Sequence, residues 1–89
     1  MKKEMKKKVS RRLKIILGQV KGLEKMVEED EYCIDIITQA SAIKHAISSI
    51  EDLVLENHLS SCVIEQAKKG QYKKITDEVI AVYKLSKKK

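Results

Sequence analysis

The chain has 89 residues, 19 of them Lys or Arg and 13 Asp or Glu, for a net charge of +6. It has no Pro, Trp or Phe, only three Gly and three Tyr, and 43% hydrophobic residues. This is one small domain with enough apolar content for a core, which excludes a disordered basic tail. The missing Pro and sparse Gly exclude turn-rich all-β folds and predict helices. A chain this short buries only about 60–65% of its unfolded surface alone, so self-association is expected.

The first predicted helix runs from about Met5 to Glu28. Val9, Leu13, Ile16, Leu17, Val20, Leu23 and Val27 recur at three- and four-residue spacing, which makes one apolar stripe. Gly18 and Gly22 interrupt it, each costing about 1 kcal/mol of helix propensity. They serve either the close approach of another backbone or nothing. The acidic run Glu28–Glu31 reads as a turn into a second helix, because acidic groups favour a helix N-terminus. That helix is predicted over Tyr32–Lys68, with apolar positions on more than one side, the pattern of a helix sandwiched between neighbours. Gly70 reads as its stop, with Lys68 and Lys69 beside the negative helix end. A third helix follows over Tyr72–Leu85. The whole chain, 1–89, is expected to form a single helical domain with flexible ends at 1–8 and 86–89.

Charge is partitioned along the chain. Residues 1–25 carry net +8, residues 26–60 net −7 and residues 61–89 net +5. Basic ends suit a polyanion such as DNA; they also suit plain solubility. Nothing in the chain has the apolar length of a membrane span or a signal sequence, so the expected location is the cytoplasm. There the two cysteines are expected as thiols or ligands rather than a structural disulfide.

Cys33, His58 and Cys62 share a geometric relation. His58 and Cys62, four residues apart, meet on one helix face. At about 100° per residue, Cys33 lies within roughly 20° of both in direction. Along a continuous helix, however, Cys33 is about 37 Å from His58, too far for one metal ion. An antiparallel copy of the helix solves this by placing Cys33 opposite the partner's Cys62, giving two symmetric sites. The same register independently sets Lys44 opposite the partner's Glu51. His45 falls off the stripe and reads as a surface or packing residue. Two thiolates and one imidazole are soft donors that suit three-coordinate Cu(I) better than tetrahedral Zn, or Ni with additional nitrogen ligands. Disulfide or persulfide chemistry between the thiols stays open. No acid–base pair with a pocket is found, so an enzyme is not expected.

The segments RRLKIILGQVKGLEKMVEEDEYCIDIITQASAIKHAI and LENHLSSCV resemble the copper-sensing operon repressor (CsoR) family of bacterial regulators, with likeness from Arg11 through Glu78. The resemblance implies an all-α three-helix subunit, paired through antiparallel second helices and assembled as a dimer of dimers. It implies a repressor that binds operator DNA when metal-free and releases copper-resistance or efflux genes on binding Cu(I). Cys33, His58 and Cys62 stand at the ligand positions of the copper members. Persulfide-sensing members lack the His, formaldehyde-sensing members lack the second Cys, and nickel and cobalt members add an N-terminal His. Tyr32 and Glu78 are implied near His58. Arg11, Arg12, Lys14 and Lys21 are the candidate DNA contacts, while Lys21 and Lys25 stand where the family often has Arg, whose fork grips phosphate better. The expected partners are operator DNA and copies of the chain in a homotetramer, with no membrane and no small-molecule substrate. The alternatives are a thiol-responsive repressor, a copper buffer or a DNA-packaging module.

Overall fold

The computed structural model describes residues 1–88. The described residues contain α1 (Lys3–Glu28), α2 (Cys33–Asn57), a π-turn (His58–Cys62), α3 (Val63–Lys68) and α4 (Tyr72–Ser86), and no strand. The all-α expectation holds, and α2, the π-turn and α3 together cover the predicted second helix. The chain divides into two compact units, Met1–Leu55 and Glu56–Lys89.

In the first unit, the least exposed residues of α1 are Met5, Val9, Arg12, Ile16, Gln19, Leu23 and Met26. Their strict alternation of four and three is the seam of a coiled-coil-like hairpin. The matching stripe of α2 is Ile36, Ala40, Ile43, Ala46, Ile50 and Leu53. Arg12 Nη1 donates to Ser49 Oγ at 3.2 Å and ties the two helices together. Ser49 Oγ in turn donates to the Ala46 carbonyl at 2.7 Å. Only Val9, Ile16 and Ile43 are buried apolar residues in the whole described chain. In contrast, Leu13, Leu17 and Val20 of α1 and Ile37 and Ile47 of α2 are all at least 44% exposed. So much uncovered apolar surface on neighbouring turns marks a face made for a protein partner.

Both interhelical turns use one device. After α1, Asp30 adopts φ 52°. The Glu31 amide donates to Met26 O and the Asp30 amide to Val27 O, a Schellman closure of the helix. After α3, Gly70 adopts φ 72°, and Gln71 and Gly70 amides repeat the pattern on Gln66 O and Ala67 O. Gly70 thus ends its helix as predicted. Alanine there meets no steric neighbour but must hold a left-handed conformation. Gly70→Ala is therefore expected to cost about 1–2 kcal/mol, read as a lowered denaturant midpoint at fixed chain concentration.

α1 begins at Lys3, two residues before the predicted start at Met5, so most of the 1–8 segment is helical. Glu4 in its first turn favours the positive helix end, and the Lys6 amide reaches Lys2 O at 2.9 Å. At the other end Ser86 still belongs to α4, the Lys87 and Lys88 amides bond back to Lys84 O and Leu85 O, and Lys89 lies outside the described residues.

The main departure is the π-turn. Apolar spacing predicts a uniform α-helix through Lys68, but the Val63 amide bonds to His58 O, five residues back. Asn57 sits at its entry, 7% exposed. The Asn57 carbonyl accepts the Ser61 hydroxyl at 2.7 Å and the Ser60 hydroxyl at 3.3 Å. Hydroxyls that compete for a helical carbonyl disturb the i→i+4 ladder; single ones on Ile34 O and Tyr72 O leave α2 and α4 unbroken, whereas the Asn57 carbonyl carries two.

Candidate metal centre and nucleic-acid face

Cys33 is the first residue of α2; its thiol is free and exposed. Tyr32, just before it, is 70% exposed, and its carbonyl accepts the Asp35 and Ile36 amides at 3.0 and 3.2 Å. His58 and Cys62 are the first and last residues of the π-turn. Both are half-buried, and the Cys62 thiol is free. The Ser61 hydroxyl stands 4.0 Å from Cys62 Sγ. The structure thus brings two of the three expected ligands into a single turn of backbone.

Among the described residues of one chain, no three His, Cys, Asp or Glu side chains gather where they could hold a metal ion. The donor set nonetheless suits a soft ion, with two thiols and an imidazole and no carboxylate in the turn. Glu78, expected near His58, accepts a 3.3 Å hydrogen bond from Gln66 Nε2 and links α3 to α4. No hydrogen bond joins it to His58 among the described residues. His45 is exposed.

The DNA candidates separate into two kinds. Arg11, Lys14 and Lys21 are exposed on α1. Arg12 differs: it lies on the packed stripe with its guanidinium on Ser49. Arg11 and Lys14 belong to a shallow basic groove with Lys3, Lys6, Lys7 and Ser10. These N-terminal lysines escape a sequence reading that treats their segment as flexible; their three- and four-residue spacing is the available signal. Gly18 and Gly22 have nothing within 4 Å of an added Cβ, so neither serves a close approach within the chain. Lys25 forms an exposed 3.8 Å pair with Glu29, which contributes little.

The described residues combine a basic α1, a soft His/Cys pair in one turn and a large uncovered apolar face, which makes the chain one of the small helical proteins that carry soft donors beside a surface for a partner. Residues 5–84 match the sequence profile of the family described as metal-sensitive transcriptional repressor, and the chain belongs to that family. It is 39% identical over 79 residues to the copper-sensing transcriptional repressor CsoR of Bacillus subtilis, covering 89% of this chain and 78% of that one. It is 42% identical over 67 residues to the copper-sensing transcriptional repressor RicR of Mycobacterium tuberculosis, covering 75% and 70%. Among solved structures it resembles the Geobacillus thermodenitrificans copper-sensing repressor CsoR with Cu(I), at TM-score 0.90 and 39% identity over 99% of this chain and 92% of that one.

Proposed function

We propose that this protein is a cytoplasmic Cu(I)-responsive transcriptional repressor, binding operator DNA when metal-free and leaving it when copper binds. The observation that carries the reading is the pairing of His58 with Cys62 in one turn, in a chain 39% identical to a repressor crystallised with Cu(I). Cys33 of one subunit joins His58 and Cys62 of the partner subunit, because the 25 residues of α2, about 37 Å of helix, separate Cys33 from His58 within one chain. Cys33, Cys62 and His58 would hold the Cu(I), which would supply a crosslink between two subunits. Tyr32 and Glu78 lie around this site once the chains assemble. The exposed apolar residues of α1 and α2 support assembly of the antiparallel pair and, beyond it, a homotetramer. Arg11, Lys14 and Lys21, with the N-terminal lysines of the same groove, contact phosphate; Arg12 braces α1 against α2.

One ion tying two chains couples metal to assembly geometry, and such linkage is typically worth about 1–3 kcal/mol, or 5–150-fold in affinity. Binding of operator DNA, measured under reducing conditions with and without one Cu(I) per subunit, is expected to weaken by that factor. An unchanged affinity sinks the copper reading. Since nearly all non-specific affinity is counterion release, Lys14→Ala is expected to weaken DNA binding across sequences and to flatten its salt dependence by about one unit of slope. A salt slope identical to wild type removes Lys14 from the interface.

A second reading, a thiol-responsive repressor, is favoured by the free thiols of exposed Cys33 and half-buried Cys62. His58→Ala separates the two: it impairs a copper response and spares a purely thiol-based one.

A further inference from the structure

The π-turn has no counterpart in the ligand chemistry itself, since an ordinary α-helix also brings residues four apart to one face. Its cost needs a compensating cause. π-turns are rare and concentrate at functional sites, and this one begins at His58 and ends at Cys62.

We infer that the hydroxyls of Ser60 and Ser61 are positioning groups that hold the π-turn open and thereby set the direction of the Cys62 thiol relative to His58; this rests on the copper reading above. In an unbroken α-helix the Asn57 carbonyl takes the Ser61 amide. Here the Ser61 hydroxyl lies on that carbonyl at 2.7 Å, with the Ser60 hydroxyl at 3.3 Å. The carbonyl belongs to a residue only 7% exposed, where water is a poor substitute donor. With those hydroxyls gone, the Ser61 amide is the nearest replacement donor, and accepting it restores the α-register. A π-turn fits one residue more than an α-turn, so returning the same chain to the α-register turns the following side chains by up to about 100° about the axis. Cys62 is at the end of that turn and takes the rotation directly, whereas His58, at its start, does not. The same Ser61 hydroxyl stands 4.0 Å from Cys62 Sγ, so the group that sets the backbone also borders the sulfur.

The test compares wild type, Ser60→Ala/Ser61→Ala and Ser61→Thr in the full chain. The first readout is copper-free: NMR couplings across hydrogen bonds report whether the Val63 amide is bonded to His58 O. Wild type and Ser61→Thr are expected to keep that bond, and the double alanine variant to lose it. The second readout is Cu(I) affinity in competition with a chromophoric chelator. It is expected to fall by about 10–100-fold in the double variant, the usual effect of losing an outer-shell partner, and to recover most of that loss in Ser61→Thr. Retention of the Val63–His58 bond in the double variant overturns the inference, as does an unchanged copper affinity after the bond is lost. If wild type itself takes up no copper, the copper reading fails and the copper-free readout alone decides whether the serines set the register.

Discussion

A mixture of Cys33→Ser and Cys62→Ser chains is expected to bind Cu(I) where neither variant does alone. In the proposed isologous pair each site would draw Cys33 from one subunit and His58 with Cys62 from the other. A homodimer of either variant has two sites, each lacking one thiolate. Its affinity falls by more than the 10–100-fold that an outer-shell loss costs. A mixed dimer differs. One of its sites lacks both thiols, while the other combines Cys33 of the Cys62→Ser chain with His58 and Cys62 of the Cys33→Ser chain and is whole. Random mixing makes half the dimers mixed, so about one quarter of the wild-type capacity returns. Copper titration of chains unfolded together and refolded checks this. A mixture no better than its components shows that the three ligands do not come from two chains.

What the sequence made legible was whatever repeats. Helical periodicity needs several turns to declare itself, and α1, α2 and α4 have them. Gly70 was legible because a glycine after a run of apolar spacing has few other uses, and its φ of 72° agrees. Asp30 performs the same turn at φ 52° and was not legible. An aspartate in a run of acids carries no mark of left-handed backbone, which it tolerates better than most residues but does not require. The π-turn was hidden for a related reason. Only six α-helical residues follow it, too few to declare a change of apolar phase, and the device proposed to open the turn is local: two hydroxyls on one carbonyl. The helical start at Lys3 was hidden by its lysines, since positive charge is unfavourable at a helix N-terminus.

The candidate site was legible for the opposite reason: it could not be built within one helix. Cys33 and Cys62 gained meaning only when a second copy was placed alongside. The same holds for the apolar surface. Ile37 at 63% and Leu17 at 57% exposure are unexplained in a lone chain and expected in an assembled one. Charge follows this division. The basic groove lies on α1, while the acidic middle of the sequence contains the residues argued to meet across the dimer seam.

Lys44→Glu is expected to break the dimer, and Lys44→Glu/Glu51→Lys to restore it. Lys44 and Glu51 are both exposed, and neither takes part in an ion pair among the described residues of the single chain. The antiparallel register that joins Cys33 to the partner's Cys62 also sets Lys44 against the partner's Glu51, and does so twice by symmetry. A charge in an apolar seam is costly without its partner. Lys44→Glu replaces both attractive pairs with glutamate facing glutamate, and like charges at an interface cost several kcal/mol. Since every 1.4 kcal/mol is tenfold in dissociation constant, the single variant is expected to dissociate at concentrations where wild type stays paired. The double variant swaps the signs and leaves the geometry alone, so it regains both association and copper uptake. Sedimentation across a concentration series, with copper titration of the same samples, checks the two together. Any register shifted by even one residue moves this pair out of facing positions and leaves the double variant no better than the single one, so rescue tests the alignment that builds the metal site without touching a ligand.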